Sequence, residues 1–144
     1  RSHPDVVVYS AKHGMVKLAA DLTFGLGSVA VKPDAFDALK RLAAIMDSPS
    51  AAQLNVVVAG HTDNIPISKP ETLRRHPNNL YLSLHRAVEV QKVLADAGVS
   101  PARIGVMGFG EHHPVAPNAG KGGNVANRRV EIWLVAPDRF LTGQ

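Results

Sequence analysis

The run Leu54-Asn55-Val56-Val57-Val58-Ala59 sets the tightest limit on what this chain can fold into. It is almost continuously apolar, it has three β-branched valines in succession, and turn-forming residues bound it. Such a run reads as a central strand buried on both faces, which needs other elements to cover it. Two segments with helical spacing supply the cover. Pro33-Asp34 is a good helix opening, because proline suits the first turn and the acid favours the positive end of the helix dipole. Ala35, Leu39, Leu42, Ala43 and Met46 then recur on one face until Ser48-Pro49-Ser50 ends the helix. The second helix is expected over 82–97, with Leu84, Ala87, Val90, Leu94 and Ala97 facing the core and Gly98 as its stop.

Three further strands are expected. Met15 to Leu22 alternates, with Val16, Leu18, Ala20 and Leu22 on one side. Ile104 to Phe109 and Val130 to Val135 are short apolar runs, and Val6 to Tyr9 is a short edge segment. A long polar loop with Pro66, Pro70 and Pro77 is expected from Gly60 to Asn79. A glycine-rich loop runs from Gly110 to Gly123, with a short helical turn before Asn127. Long loops in compact domains tend to be functional. The order is strand, helix, strand, helix, strand, strand. It defines an α/β fold: a small mixed sheet with helices packed on one face.

A chain of 144 residues can close one hydrophobic core. The expected division is a linker or edge segment over 1–14, a domain over 15–137 and a tail over 138–144. No apolar run approaches the roughly 20 residues of a membrane helix, and no signal peptide is visible. The opening Arg1-Ser2-His3-Pro4 reads as the start of a fragment whose anchor lies upstream. There is no cysteine, hence no disulfide and no thiolate metal site. The net charge of +4 is a mild bias toward anionic partners. The densest basic clusters are only Lys40-Arg41, Arg74-Arg75 and Arg128-Arg129. Without a basic stripe interleaved with aromatics, nucleic acid is not the expected partner.

Asp63 stands where the buried strand gives way to the loop, a common place for ligand groups in α/β sheets. Arg86 lies one turn into the helix that the same loop feeds, so the two should face each other across a cleft. An acid and a guanidinium a ligand's width apart can receive a zwitterion: the carboxylate takes an ammonium and the arginine fork takes a carboxylate. The same two residues can equally form a structural ion pair. Seven histidines invite a metal reading, with His61-x-Asp63 and His112-His113 as the nearest groups. A zinc hydrolase, however, needs three converging ligands and a base, and no His-Glu-x-x-His helix is present. Ser83 lacks a base partner, and Gly108-x-Gly110 is too short for a phosphate loop. No enzyme and no cofactor are expected.

Three blocks carry a resemblance: Gly60-His61-Thr62-Asp63-Asn64, Leu82-Ser83-Leu84-His85-Arg86-Ala87, and Asn127-Arg128-Arg129-Val130-Glu131-Ile132. In that order and spacing they resemble the OmpA-like C-terminal peptidoglycan-binding family. Weaker matches at Phe24, Ser28, Pro33, Val90, Leu94, Gly108 to Glu111, Pro114 and Asn118 extend the similarity over about residues 15–136. The resemblance implies non-catalytic binding of peptidoglycan through diaminopimelate of the stem peptide, whose free end carries an ammonium and a carboxylate. It implies Asp63 and Arg86 as the principal contacts. Asn79 follows, with the alternative of a plain N-cap, and Arg128, with the alternative of a solvated charge. Thr62 and Asn64 are expected at the rim. The family often has an acid where this chain has Gly27, so one ligand contact is missing. The segments 62–67 and 77–83 resemble the flagellar stator branch, MotB. The implied setting is the periplasm, tethered to a membrane only through a segment that precedes this one, and a homodimer is compatible with it. A structural or oligomerisation module of the envelope, without wall affinity, is the alternative function.

Overall fold

The computed structural model describes residues 8–9, 15–18, 22–119 and 123–136. Residues 1–7 and 10–14, most of the expected linker, lie outside the described residues, as do 19–21 of the first expected strand and the tail over 138–144. The elements are β1 (Val8–Tyr9), β2 (Met15–Leu18), β3 (Leu22–Thr23), α1 (Pro33–Met46), β4 (Asn55–Gly60), α2 (Pro70–Arg75), α3 (Asn79–Asp96), β5 (Ile104–Gly108) and β6 (Arg129–Val135). The strands form one mixed sheet in the order β1-β2-β6-β4-β5, with β3 also pairing β6. Only β4 and β5 run parallel, because the α3 crossover returns the chain to the same end of the sheet.

Helix α1 begins as its sequence dictates, with proline in the first turn and Asp34 beside it, and it buries Leu39, Leu42, Ala43 and Met46. Those side chains meet Val56 and Val58 of β4, Ala87, Val90 and Leu94 of α3, and Val130, Ile132 and Leu134 of β6 in one core. Each fully buried leucine or valine there contributes about 1.5–3 kcal/mol. Both long helices therefore cover one face of the sheet. The expectation that β4 is buried on both faces needs correction: Val56 and Val58 are buried, whereas Val57, across from Trp133 of β6, is only half-covered. The unbroken apolar run hid a period-two pattern because valine occupies both faces.

The long polar loop also needs correction. Its middle is the six-residue helix α2, opened by Pro70 and Glu71 and closed by Arg74 and Arg75. None of its residues is buried, so no apolar periodicity marked it. Helix α3 starts at Asn79, three residues earlier than its apolar pattern indicates, and Asn78 is the N-cap, its Oδ1 accepting from the Tyr81 amide at 3.0 Å.

Two glycines fix how closely α3 lies on the sheet. A Cβ at Gly60 would overlap the Ser83 carbonyl oxygen, and one at Gly108 would stand 2.8 Å from the Leu84 nitrogen. The first turns of α3 thus rest directly on the backbone of β4 and β5. Ser83 Oγ completes the contact, accepting from the Gly110 amide at 2.9 Å and donating to the Leu80 carbonyl at 2.7 Å. At the opposite end of the sheet, Arg103 ties three segments together by donating to the carbonyls of Met46, Ala51 and Leu54 at 2.7–3.0 Å.

Candidate functional site

The β4 ladder continues past its last residue. The His61 amide donates to the Arg129 carbonyl at 2.8 Å and the Thr62 amide to the Gly110 carbonyl at 2.8 Å. This continuation carries Asp63 just beyond the sheet, where it faces the start of α3. A cleft of about 210 Å³ opens there, lined by Thr62, Asp63, Asn79, Arg86 and Arg128 together with Leu26, Gly27, Ile65, Pro66, Lys69 and Thr72. Five of the six residues singled out in the sequence share this lining. Asn64 does not: it is exposed and lies off the cleft wall.

Asp63 is buried, yet its ion pair is not with Arg86. Its Oδ2 is 2.7 Å from Nη1 of Arg128, and its Oδ1 accepts from the Ile65 amide at 3.2 Å. Arg128 also donates through Nε to the Phe24 carbonyl at 3.0 Å and is 15% exposed, so it is no solvated charge. Arg86 is fully buried. Its Nε donates to the Ser28 carbonyl at 2.8 Å, Nη1 to the His61 carbonyl at 2.9 Å, and Nη2 to the Gly25 carbonyl at 3.0 Å. The guanidinium carbon also lies 5.2 Å from the centre of the Phe24 ring. Arg86 therefore locks the segment 24–28 to the end of β4, which no local pattern in the sequence revealed.

Burial pulls the Arg86 pKa down to about 10; Asp63 opposes that shift and Arg128 adds to it. The guanidinium stays charged at neutral pH, and the response to Asp63 puts that carboxylate within electrostatic reach. A guanidinium has five N–H donors, and three bonds to carbonyls leave two. Asn79 is the first residue of α3 rather than its cap. Its amide nitrogen donates to the Ile65 carbonyl at 3.1 Å and to Glu111 Oε1 at 3.2 Å, which holds the cleft wall together. Gly27 lines the cleft and brings no charge, and Lys69 stands on the α2 side. The cleft thus holds one carboxylate against two guanidiniums and the Lys69 ammonium.

The sequence did not place Gly123 or Glu111 among the candidate site residues. A Cβ at Gly123 would overlap Asp63 Oδ2, so the glycine-rich loop presses its backbone onto the carboxylate. Asn127 shapes that loop from within: fully buried, it accepts from the amides of Val115 and Ala116 at 2.8 and 3.1 Å and donates to the Ala116 carbonyl at 2.8 Å. His61 turns to the other side of the sheet, stacked on Phe109 with ring centres 5.4 Å apart and 3.4 Å from Glu131. It makes no pair with Asp63.

A helix-backed mixed sheet with a cleft of both charges at the open end of its central strand has the architecture of a candidate ligand-binding module. The chain belongs to the OmpA family, whose profile matches residues 23–128. It is 41% identical over 122 residues to outer membrane porin F of Pseudomonas fluorescens, covering 85% of this chain and 34% of that protein. It is 33% identical over 122 residues to motility protein B of Helicobacter pylori strain J99, covering 83% of this chain and 45% of that one. The chain therefore spans a third to a half of the length of these curated relatives. Among solved structures, the periplasmic domain of Helicobacter pylori MotB superposes with a TM-score of 0.72 at 29% identity, over 94% of this chain and 82% of that one. A peptidoglycan-associated lipoprotein from Burkholderia pseudomallei shares the fold, with a TM-score of 0.65 at 24% identity over 79% and 88% of the two chains. None of these relatives carries an enzyme's name. Among the described residues, no helix is long and apolar enough to cross a membrane.

Proposed function

We propose that this domain binds peptidoglycan without cleaving it, through the zwitterionic end of diaminopimelate in the stem peptide, and so anchors an envelope protein to the wall from the periplasm. One observation carries the reading: Asp63, Arg86 and Arg128 line a single cleft. The ligand carboxylate takes the remaining N–H donors of Arg86 and the Arg128 fork, and its ammonium takes lone pairs of Asp63. Asn79 and Thr62 complete the walls. The names of two relatives, an outer membrane porin and a peptidoglycan-associated lipoprotein, agree with this setting.

Co-sedimentation with purified sacculi tests it. The domain is expected to pellet with diaminopimelate-type walls at moderate salt, to be displaced by added diaminopimelate, and to release no soluble muropeptides. Failure to pellet would favour the alternative, a structural or oligomerisation module of an envelope complex. Release of muropeptides would overturn the non-catalytic reading.

A further inference from the structure

Away from the cleft, the end of α2 and the second turn of α3 bring two imidazoles together. His76 follows Arg75 and is 7% exposed; His85 sits beside Arg86 on α3. Their Nδ1 atoms are 2.6 Å apart, with ring centres 4.9 Å apart and planes 55° to each other. Such a contact requires one ring to offer its Nδ1 lone pair and the other its proton. A hollow of about 610 Å³ adjoins the pair, lined by His76, His85, Glu89, Arg75 and Lys92 among others. The cleft function described above uses neither histidine.

We propose that His76 and His85 form a two-histidine site for a divalent transition metal ion of the zinc type, bound through Nδ1 of both rings. Metal-to-imidazole bonds of about 2.0–2.1 Å in tetrahedral geometry place two ligand nitrogens roughly 3.3 Å apart. The two Nδ1 atoms, already converging, need to part by under an ångström as the metal takes the place of the shared proton, which passes through solvent to Nε2 of the ring that carried it. Imidazole ligands select zinc, nickel or copper over calcium and magnesium, which need oxygen ligands. No group of three or more His, Cys, Asp or Glu side chains converges among the described residues, so water fills the remaining positions. Glu89, one turn beyond His85, faces the hollow and is paired with Lys92 at 3.1 Å. Arg75 and Lys92 oppose the cation there, which with only two protein ligands keeps the affinity below that of a closed structural site. The bound ion would staple α2, whose Thr72 lines the cleft, to the helix that carries Arg86. The proposal does not depend on what the cleft binds.

The test is calorimetric titration of the whole chain with zinc chloride in a non-coordinating buffer, with His3→Ala and His13→Ala as background to remove imidazoles near the start of the chain. One equivalent per chain and a rise in Tm are expected. His85→Gln should weaken binding at least tenfold, and His112→Ala, an exposed histidine in another loop, should leave it unchanged. Since His76→Ala removes a buried side chain, His85→Gln is the deciding variant, and its own melting curve without zinc reports whether it folds. A second readout on the unaltered pair is the nitrogen shift of the two imidazoles on adding zinc, expected at Nδ1 of both. Absence of saturable binding, or binding that His85→Gln leaves unchanged, would overturn the site.

Discussion

Asp63 Oδ2 meets Nη1 of Arg128 at 2.7 Å, so the carboxylate on the β4 side of the cleft is balanced by the arginine just ahead of β6 and not by the one on α3. The two arginines consequently have different duties. Arg128 pairs with the cleft carboxylate and is part-exposed, whereas Arg86 holds three backbone carbonyls in place and lies fully buried. A zwitterionic ligand entering the cleft has to share Asp63 with Arg128, and that competition shapes what each substitution should do.

Asp63→Asn isolates charge from shape. The amide keeps an acceptor for the Ile65 amide, which bonds Asp63 at 3.2 Å, but it offers no charge to a ligand ammonium or to Arg128. Loss of a charge-assisted bond worth about 1.5–3 kcal/mol should weaken wall binding by about tenfold to a hundredfold. Sacculus pelleting and a urea melt on the same sample check this. Wall binding equal to the parent's would remove Asp63 from the site.

Arg86→Ala should behave differently. A residue that only touched the ligand would lose binding with an intact fold, but here three carbonyls, of Gly25, Ser28 and His61, would lose their donor. The His61 carbonyl is buried, and leaving a buried acceptor unpaired costs about 1–3 kcal/mol; the carbonyls of Gly25 and Ser28 are only part-buried, so their loss adds less. The Tm should drop by several degrees at least, alongside the loss of wall binding. Arg86→Lys should also melt early, because one ammonium cannot reach three carbonyls in the guanidinium's fork geometry. If Arg86→Lys melts with the parent, the staple contributes nothing, and any binding defect belongs to the ligand contact alone.

Glu131 gives the fold an acid-sensitive joint. Burial pushes its carboxyl up, but hydrogen bonds and charge from His61 and Arg129 outweigh that and hold it well below the usual carboxylate range. A carboxyl depressed in the folded state contributes stability that is present above the unfolded value, about 4.3, and lost as pH falls through the folded one. Stability measured by urea titration should therefore decline as the pH drops below about 4.5. Glu131→Gln should be less stable than the parent at pH 7 and lose less on acidification. Parallel pH profiles for the two would show that Glu131 is not the titrating group.

What could be read from the residues, and what could not, divides by distance along the chain. Helix α1 declared both ends through Pro33 and Ser48-Pro49-Ser50, and four of its five expected core positions, Leu39, Leu42, Ala43 and Met46, are buried, while Ala35 is only half-covered. Helix α2 had its proline and its terminal charges in plain view, yet it buries nothing, so the periodicity that identifies helices was silent. The site followed the same rule. Asp63 and Arg86 stood out because each lies in a distinctive block, Asp63 just past the end of β4 and Arg86 well inside α3. The partnership of Asp63 with Arg128 joins residues 65 positions apart, and the Arg86 bonds to Gly25 and Ser28 span 61 and 58. Only the closed sheet, with β3 and β6 side by side, brings those segments together.

Gly123 offers the sharpest separation of binding from folding. Its φ of +61° is a left-handed conformation, and a Cβ there would run into the Asp63 carboxylate. Gly98 also has a positive φ, +112°, but nothing stands within 4 Å of where its Cβ would be. Gly98→Ala thus measures backbone strain alone, about 1–2 kcal/mol, and should leave wall binding untouched. Gly123→Ala adds to a similar strain the displacement of a carboxylate paired with Arg128 and bonded to the Ile65 amide. It should weaken sacculus binding about as much as Asp63→Asn does, and a melting curve on the same sample reports whether the chain still folds. Equal wall binding by Gly123→Ala and Gly98→Ala, at matched Tm, would mean that the position of the Asp63 carboxylate does not matter to the ligand, and the zwitterion reading of the cleft would fall with it.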